Sequence, residues 1–335
     1  MILAIESSCD ETSAALVEGA RVLANIVSSQ VDLHRQWGGV VPEAAARAHV
    51  EAIVPVVAEA FALAARSPAD VRAVAATNRP GLVGALAVGV AAAKAWAYAL
   101  GVPILGVHHL EGHILSPLAQ LGDQPVAVPF PHLSLIVSGG HTEVVDVEAP
   151  GRYRLLSETI DDAAGEAFDK SARLLGLGYP GGRAIQEAAV GGRSDRYRLP
   201  RALADDPFRF SFSGLKTAVL RLVETEGDRL SVPDAAASIQ AAIVDVLVEK
   251  STRLIEQTDR AALTLVGGVA ANRALREALA DRCRKVGTRF VTPAPELCTD
   301  NAAMIGIAAS LRWGNGDADD LLLDVTSSAP LPAWS

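Results

Sequence analysis

The sequence predicts an α/β protein of two lobes built on a repeated hairpin. Three observations carry that expectation. Residues 2–18 and 133–147 read as the same unit: an apolar strand, a small polar turn and a second apolar strand. A further strand, Leu263-Thr264-Leu265-Val266, ends in Gly267-Gly268 and leads into a helix that Asn272 would cap. The chain is 50% apolar with 4% aromatic residues and 28 glycines, a composition suited to close packing of helices on sheets.

Taken in order, Ile2-Leu3-Ala4-Ile5 is the first strand and Ala14-Ala15-Leu16-Val17 the second, joined through Glu6-Ser7-Ser8-Cys9-Asp10-Glu11-Thr12-Ser13. Leu82–Leu100 is long and apolar enough to suggest a membrane span. It contains Lys94 and is largely alanine, glycine and valine, so a buried, tightly packed helix is expected. Val102–Val107 reads as a buried strand running into His108-His109-Leu110-Glu111-Gly112-His113. Leu133-Ser134-Leu135-Ile136-Val137 and Val144-Val145-Asp146-Val147 flank Ser138-Gly139-Gly140-His141-Thr142-Glu143 as the second hairpin. Gly-rich turns after strands expose backbone N–H groups that suit phosphate. Three such turns favour nucleotide-type binding between two lobes.

Two glycine patterns fail. Gly84–Gly89 has the spacing of a P-loop, but Val90 stands where lysine is required. Gly176-Leu177-Gly178-Tyr179-Pro180-Gly181 follows a helix-like segment, not a strand, and carries a proline. The segment 193–221 is basic, with six arginines and Lys216 against three aspartates, and Phe208, Phe210 and Phe212 are interleaved. It is either an RNA-facing surface or a solvated connection with buried phenylalanines.

The 335 residues carry a net charge of −9, which argues against indiscriminate nucleic-acid binding but not against a local basic patch. Cys9, Cys283 and Cys298 form no CxxC pair, so neither a disulfide framework nor a cysteine zinc site is expected. No basic leader opens the chain, and a cytoplasmic protein without a membrane span is expected.

His109 and His113 lie four residues apart, about 40° around a helix. Two such imidazoles and a carboxylate make an open metal site, and the downstream run Cys298-Thr299-Asp300-Asn301 is read with them. The pair alone equally suits polar contacts at a helix start. A zinc peptidase places its glutamate directly after the first histidine. Glu111 is two residues on, about 200° around the helix, and points away.

Together the motifs resemble one family over nearly the whole length: Glu6-Ser7-Ser8-Cys9-Asp10-Glu11-Thr12, His109–His113, Val137–Thr142, Asp161–Lys170, Tyr179–Gly182, Phe210–Thr217, Gly267–Asn272 and Thr299–Met304. The family is the TsaD/Kae-type tRNA N6-adenosine threonylcarbamoyltransferases, formerly called O-sialoglycoprotein endopeptidases. The resemblance implies a two-lobed actin-like (ASKHA) ATPase fold with duplicated RNase H-like domains. Residues 1–115, completed by a C-terminal helix around 300–335, would form one lobe, and 116–299, with the basic insertion 193–221, the other. It implies that His109, His113 and Asp300 hold one Fe2+ or Zn2+, and that Ile136, Val137, Ser138, Gly139, Gly140, Asp169, Gly182 and Asn272 surround an adenylate. The implied reaction moves a threonylcarbamoyl group from threonylcarbamoyl-AMP to N6 of adenosine 37 in tRNAs reading codons that begin with adenine. Glu11 is the candidate for proton transfer or amine orientation; alternatively it stabilises its turn. Implied partners are tRNA, an inactive (TsaB-like) paralogue, a small (TsaE-like) P-loop ATPase and a separate synthase for the adenylate. The sequence departs from the family at Asn78-Arg79, Ala46, Arg183 and Gln186. A metallopeptidase and a nucleotide-dependent chaperone are the competing classes.

Overall fold

The computed structural model describes residues 1–122, 127–206 and 208–334. The chain forms two compact units: Met1–Val128 with Ala149–Tyr153 and Thr299–Ser335, and Pro129–Glu148 with Arg154–Cys298.

In the first unit, β1 (Ile2–Glu6), β2 (Glu11–Glu18), β3 (Arg21–Ser29), β4 (Ala73–Arg79) and β5 (Ile104–His108) make a sheet of order β3-β2-β1-β4-β5. β1 pairs antiparallel with β2 and parallel with β4, which is parallel to β5. β1 is buried along its whole length, as a strand covered on both faces must be. Leu3 and Ile5 face α2 (Pro42–Ala64) and α3 (Val83–Leu100), where Ile53, Val57, Val90 and Ala93 complete the core. α10 (Ala302–Gly314) packs on β1 and β2, and its Gly306 lies against Ala4 and Val17. The short helices α1 (Val31–Arg35) and α4 (His109–Leu115) belong to the same unit.

The second unit repeats this order. β6 (His132–Val137), β7 (Thr142–Ala149), β8 (Arg152–Thr159), β9 (Arg209–Phe210), β10 (Ala262–Val266) and β11 (Arg289–Val291) lie as β11-β10-β6-β7-β8-β9. β6 is antiparallel to β7 and parallel to β10, which is parallel to β11. Leaving out β9, each sheet reads third, second, first, fourth, fifth strand, the duplication expected from the hairpins. Helices α5 (Ala164–Leu174), α6 (Gly181–Ala188), α7 (Ser213–Glu226), α8 (Val232–Thr258) and α9 (Arg273–Lys285) supply Phe168, Ile185, Leu215, Ile239, Ile243 and Leu275 to a second core.

One expectation needs correction, and one pair of alternatives is narrowed. α3 is a helix, but it is not buried all round: Ala85, Leu86, Gly89, Val90, Ala93 and Ala97 face inward while Val83 and Tyr98 are exposed. By length and composition it is the one span among the described residues that could cross a membrane, yet its inner face is committed to the sheet. The basic segment is also less free than its composition suggests. Arg193 pairs with Asp195, Arg201 with Asp245 and Arg209 with Asp206. Phe210 and Phe212 are core residues, and only Phe208 of the three is exposed.

Candidate functional site

β5 delivers His108 as the N-cap of α4, so His109 and His113 begin successive turns of one short helix. The rings meet edge-on with centroids 4.7 Å apart. Asp300 immediately precedes Asn301, whose side chain caps α10 by accepting from Met304 N at 3.1 Å. α4 lies close on α10 because residue 112 is glycine; a Cβ there would sit 2.9 Å from Ile305 Cδ1 and 3.1 Å from Met304 Cγ. That approach sets His113 Nε2 at 3.1 Å and His109 Nε2 at 3.5 Å from the same oxygen, Asp300 Oδ1.

Candidate ligand atoms of these three residues lie within 4.8 Å of one another. Donors about 2.0–2.1 Å from a metal are roughly 3 Å from each other, so the triad fits a transition metal. The surroundings fit too. His109 Nδ1 is 3.2 Å from Glu6 Oε2 and 3.1 Å from Ser8 Oγ, the carboxylate-to-imidazole support that orients metal-binding histidines. Glu6 is fully buried, accepting from Ser8 N at 2.5 Å and from Thr77 Oγ1 at 2.6 Å.

Electrostatics explain the opposite behaviour of the two imidazoles. Burial opposes charge on His109, but Asp300 and Glu6 on either side outweigh it and push its pKa up to about 9. Burial lowers His113, and the neighbouring His109 charge adds to the fall. Two adjacent imidazoles sharing one carboxylate oxygen favour a single positive charge between them, on His109. Burial raises Glu6, yet His109 and Thr77 bring it below the ordinary carboxylate range. Glu11 is raised well above that range, by burial first and then by Asp300, Asp10 and Glu6. Such a concentration of carboxylates is a setting that a cation relieves. Glu111 stands apart: its Oε1 accepts from Tyr153 Oη at 2.9 Å, and burial raises its pKa to about 7. It does not join the triad, as its helical position predicts.

The second unit gathers the remaining predicted residues around the carboxyl ends of β6 and β10. Ile136 and Val137 end β6; Ser138–Gly140 form the turn to β7, closed by Ser138 N donating to His141 O at 2.9 Å. α5 starts against this turn, since a Cβ on Gly165 would lie 2.5 Å from Ser138 O. Nothing lies within 4 Å of a Cβ built on Gly139, Gly140 or Gly182, so a ligand can approach their backbone. Asp169 Oδ1 accepts from Gly181 N at 2.7 Å and so fixes the start of α6. Asn272 caps α9, as its position ahead of the helix predicts. Its Oδ1 accepts from Leu275 N at 3.0 Å and its Nδ2 donates to Gln240 Oε1 at 3.0 Å. Gln186, one of the departures from the family pattern, accepts from Arg273 N at 2.7 Å and tethers α6 to the start of α9.

Glu6, Ser8, Thr77 and Gln240 were not singled out from the sequence as site residues. Glu6 stood inside a quoted motif, but its partner His109 is 103 residues away, and nothing local announces that pairing.

Comparison with known proteins places these geometries in context. The family profile described as TsaD, tRNA N6-adenosine threonylcarbamoyltransferase, matches residues 21–307. A protein of that name from Syntrophotalea carbinolica is 48% identical over 99% of this chain and 97% of its own length. Another, from Synechococcus sp. (strain JA-3-3Ab), is 50% identical over 98% of this chain and 92% of its own. Among solved structures, HypF from T. kodakarensis matches 94% of this chain and 48% of its own at 14% identity, with a TM-score of 0.61. The activator of 2-hydroxyisocaproyl-CoA dehydratase from Clostridium difficile, with bound ADPNP, matches 95% and 98% at 13% identity and a TM-score of 0.54. These two likenesses concern the fold, which is the two-lobed actin-like ATPase fold expected from the sequence.

Proposed function

The chain belongs to the tRNA N6-adenosine threonylcarbamoyltransferase family, and from that membership we propose that it transfers a threonylcarbamoyl group from threonylcarbamoyl-AMP to N6 of adenosine 37 in tRNAs reading codons that begin with adenine. The observation that carries the reading is the convergence of His109 Nε2 and His113 Nε2 on one oxygen of Asp300. In the transfer, N6 bonds to the carbamoyl carbon, the carbon–oxygen bond to phosphate breaks, AMP leaves, and N6 gives up a proton.

His109, His113 and Asp300 would hold an iron or zinc ion, both of which accept imidazole and carboxylate. When bound, that ion supplies Lewis-acid polarisation of a carbonyl. Glu6 keeps the His109 ring oriented. Glu11 is the group proposed to orient the amine or handle its proton, and its raised pKa supports that role. In the second unit, Ile136 to Gly140 and Gly182 would border the adenylate. Asp169 would reach its ribose while holding Gly181, and Asn272, already spent on Gln240 and Leu275, would shape the wall of the cradle.

An inactive paralogue, a small P-loop ATPase and a separate synthase for the adenylate are the proposed partners, and the cytoplasm the proposed location. The test is reconstitution with threonylcarbamoyl-AMP, the partners and unmodified tRNA, read by nucleoside mass spectrometry. Modified adenosine is expected with wild type and lost in His109→Ala and Asp300→Ala. No modified adenosine from wild type loaded with iron or with zinc overturns the reading.

A further inference from the structure

Behind the Glu6–Thr12 turn runs a line of buried polar groups that neither the triad nor the cradle uses. His34, Gln30 and His49 are buried in the first unit. The direction of each hydrogen bond follows from what its end groups can do. Val41 N donates to His34 Nδ1 at 3.4 Å, so the ring proton is on Nε2, which donates to Gln30 Oε1 at 3.0 Å. Gln30 Nε2 then donates to Ala45 O at 3.3 Å and to His49 Nδ1 at 3.4 Å. Thr12 Oγ1 donates to the same Nδ1 at 2.7 Å. With Nδ1 accepting, His49 carries its proton on Nε2 and donates to Cys9 O at 3.1 Å. Gln30 N donates to the next carbonyl, Asp10 O, at 3.0 Å.

Two consecutive carbonyls and the Thr12 hydroxyl are therefore held by one tautomer-specific line, and Glu11 lies between them. Burial lowers the His49 pKa, which keeps the ring in the neutral form that this line requires.

We propose that His49, oriented by Gln30 and His34, is a positioning residue for the transfer reaction: it fixes the Cys9–Thr12 turn and with it Glu11, whose Oε1 accepts from Ser29 Oγ at 3.4 Å across the β2–β3 pair. This rests on the function proposed above. It implies that removing His49 costs turnover through Glu11 and leaves the metal triad intact.

The test compares His49→Ala, His49→Gln, Glu11→Gln and the double variant His49→Ala/Glu11→Gln in the reconstituted assay. His49→Ala is expected to lower kcat roughly tenfold or more, with KM for tRNA within about twofold and metal content equal to wild type. His49→Gln, whose amide can still donate to the Cys9 carbonyl, should recover part of that loss. The double variant should be little worse than Glu11→Gln alone, because the two act as a unit. Multiplying losses in the double variant, or a kcat for His49→Ala equal to wild type, overturn the proposal. Long-range 1H–15N spectra of the histidine rings give a readout that needs no activity: His49 should be the Nε2–H tautomer, and an Nδ1–H ring also overturns it. An inactive wild type with the expected tautomer would instead indict the transfer reading.

Discussion

His109 carries more of the site than its proposed role as one ligand suggests. It lies between Asp300 and Glu6, and without metal it takes a proton that those carboxylates hold to about pH 9. A base whose folded pKa is raised adds stability that is complete below its unfolded value, near 6.5, and lost as pH rises through the folded value. Glu111, raised to about 7 by burial, adds a loss in the same direction between about 4.5 and 7. Metal-stripped protein is therefore expected to lose stability on going from pH 6.5 to 9, by an amount of the order of 3 kcal/mol. Calorimetric melting across that range checks it. His109→Gln should flatten the profile above pH 7, and a wild-type Tm that holds constant or climbs would contradict the assignment. The residue scale is also where the sequence was least legible. The His109–His113 spacing is local and can be read off the chain. The Glu6–His109 pairing is a product of sheet order, β1 and β5 both flanking β4, and no spacing rule reports it. Asn272 was legible as a helix cap, because an amide just ahead of a helical run is a local signal, and Leu275 N does donate to it.

At the scale of elements, the proposed metal site is a helix–helix contact as much as a set of candidate ligands. α4 has only seven residues, too few to hold its own shape in isolation, so its position comes from α10 beneath it. Gly112 is the point of closest approach. Gly112→Val would push added carbons into Ile305 and Met304, which is expected to cost about 1–3 kcal/mol and to draw His109 and His113 away from Asp300. Metal titration should then show weaker binding together with the lowered Tm. A variant that melts lower but binds metal as wild type does would mean that the triad tolerates displacement of its helix. The strands and turns of both hairpins were legible because short continuous apolar runs and small polar turns are local signals. β9 was not: a strand of two residues has no period to detect, and its effect is seen only in Phe210 being carried into the core.

For the whole molecule, the decisive fact is that the first unit is assembled from both ends of the chain. α10 packs on β1, β2, β5 and α4, so it is a core element of a unit whose strands lie within residues 2–108. A chain ended at Cys298 loses Asp300 and this helix together. It is expected to bind no metal tightly and to lose the calorimetric transition of the first unit, and metal binding equal to the full chain would contradict this. The duplicated architecture was readable from two hairpins, but the return of the C-terminus was expected only through family resemblance, since closure of a unit by a distant helix is a tertiary event without a local mark. The same return imposes an order in time. His113 and Asp300 are 187 residues apart, so a ribosome working at about 5–20 residues per second needs roughly 10–40 s between them. During that interval the two imidazoles exist without their carboxylate, and the triad can assemble only after Asp300 has been made. Any metal held by this triad would be loaded late, by a chain already extended beyond Asp300.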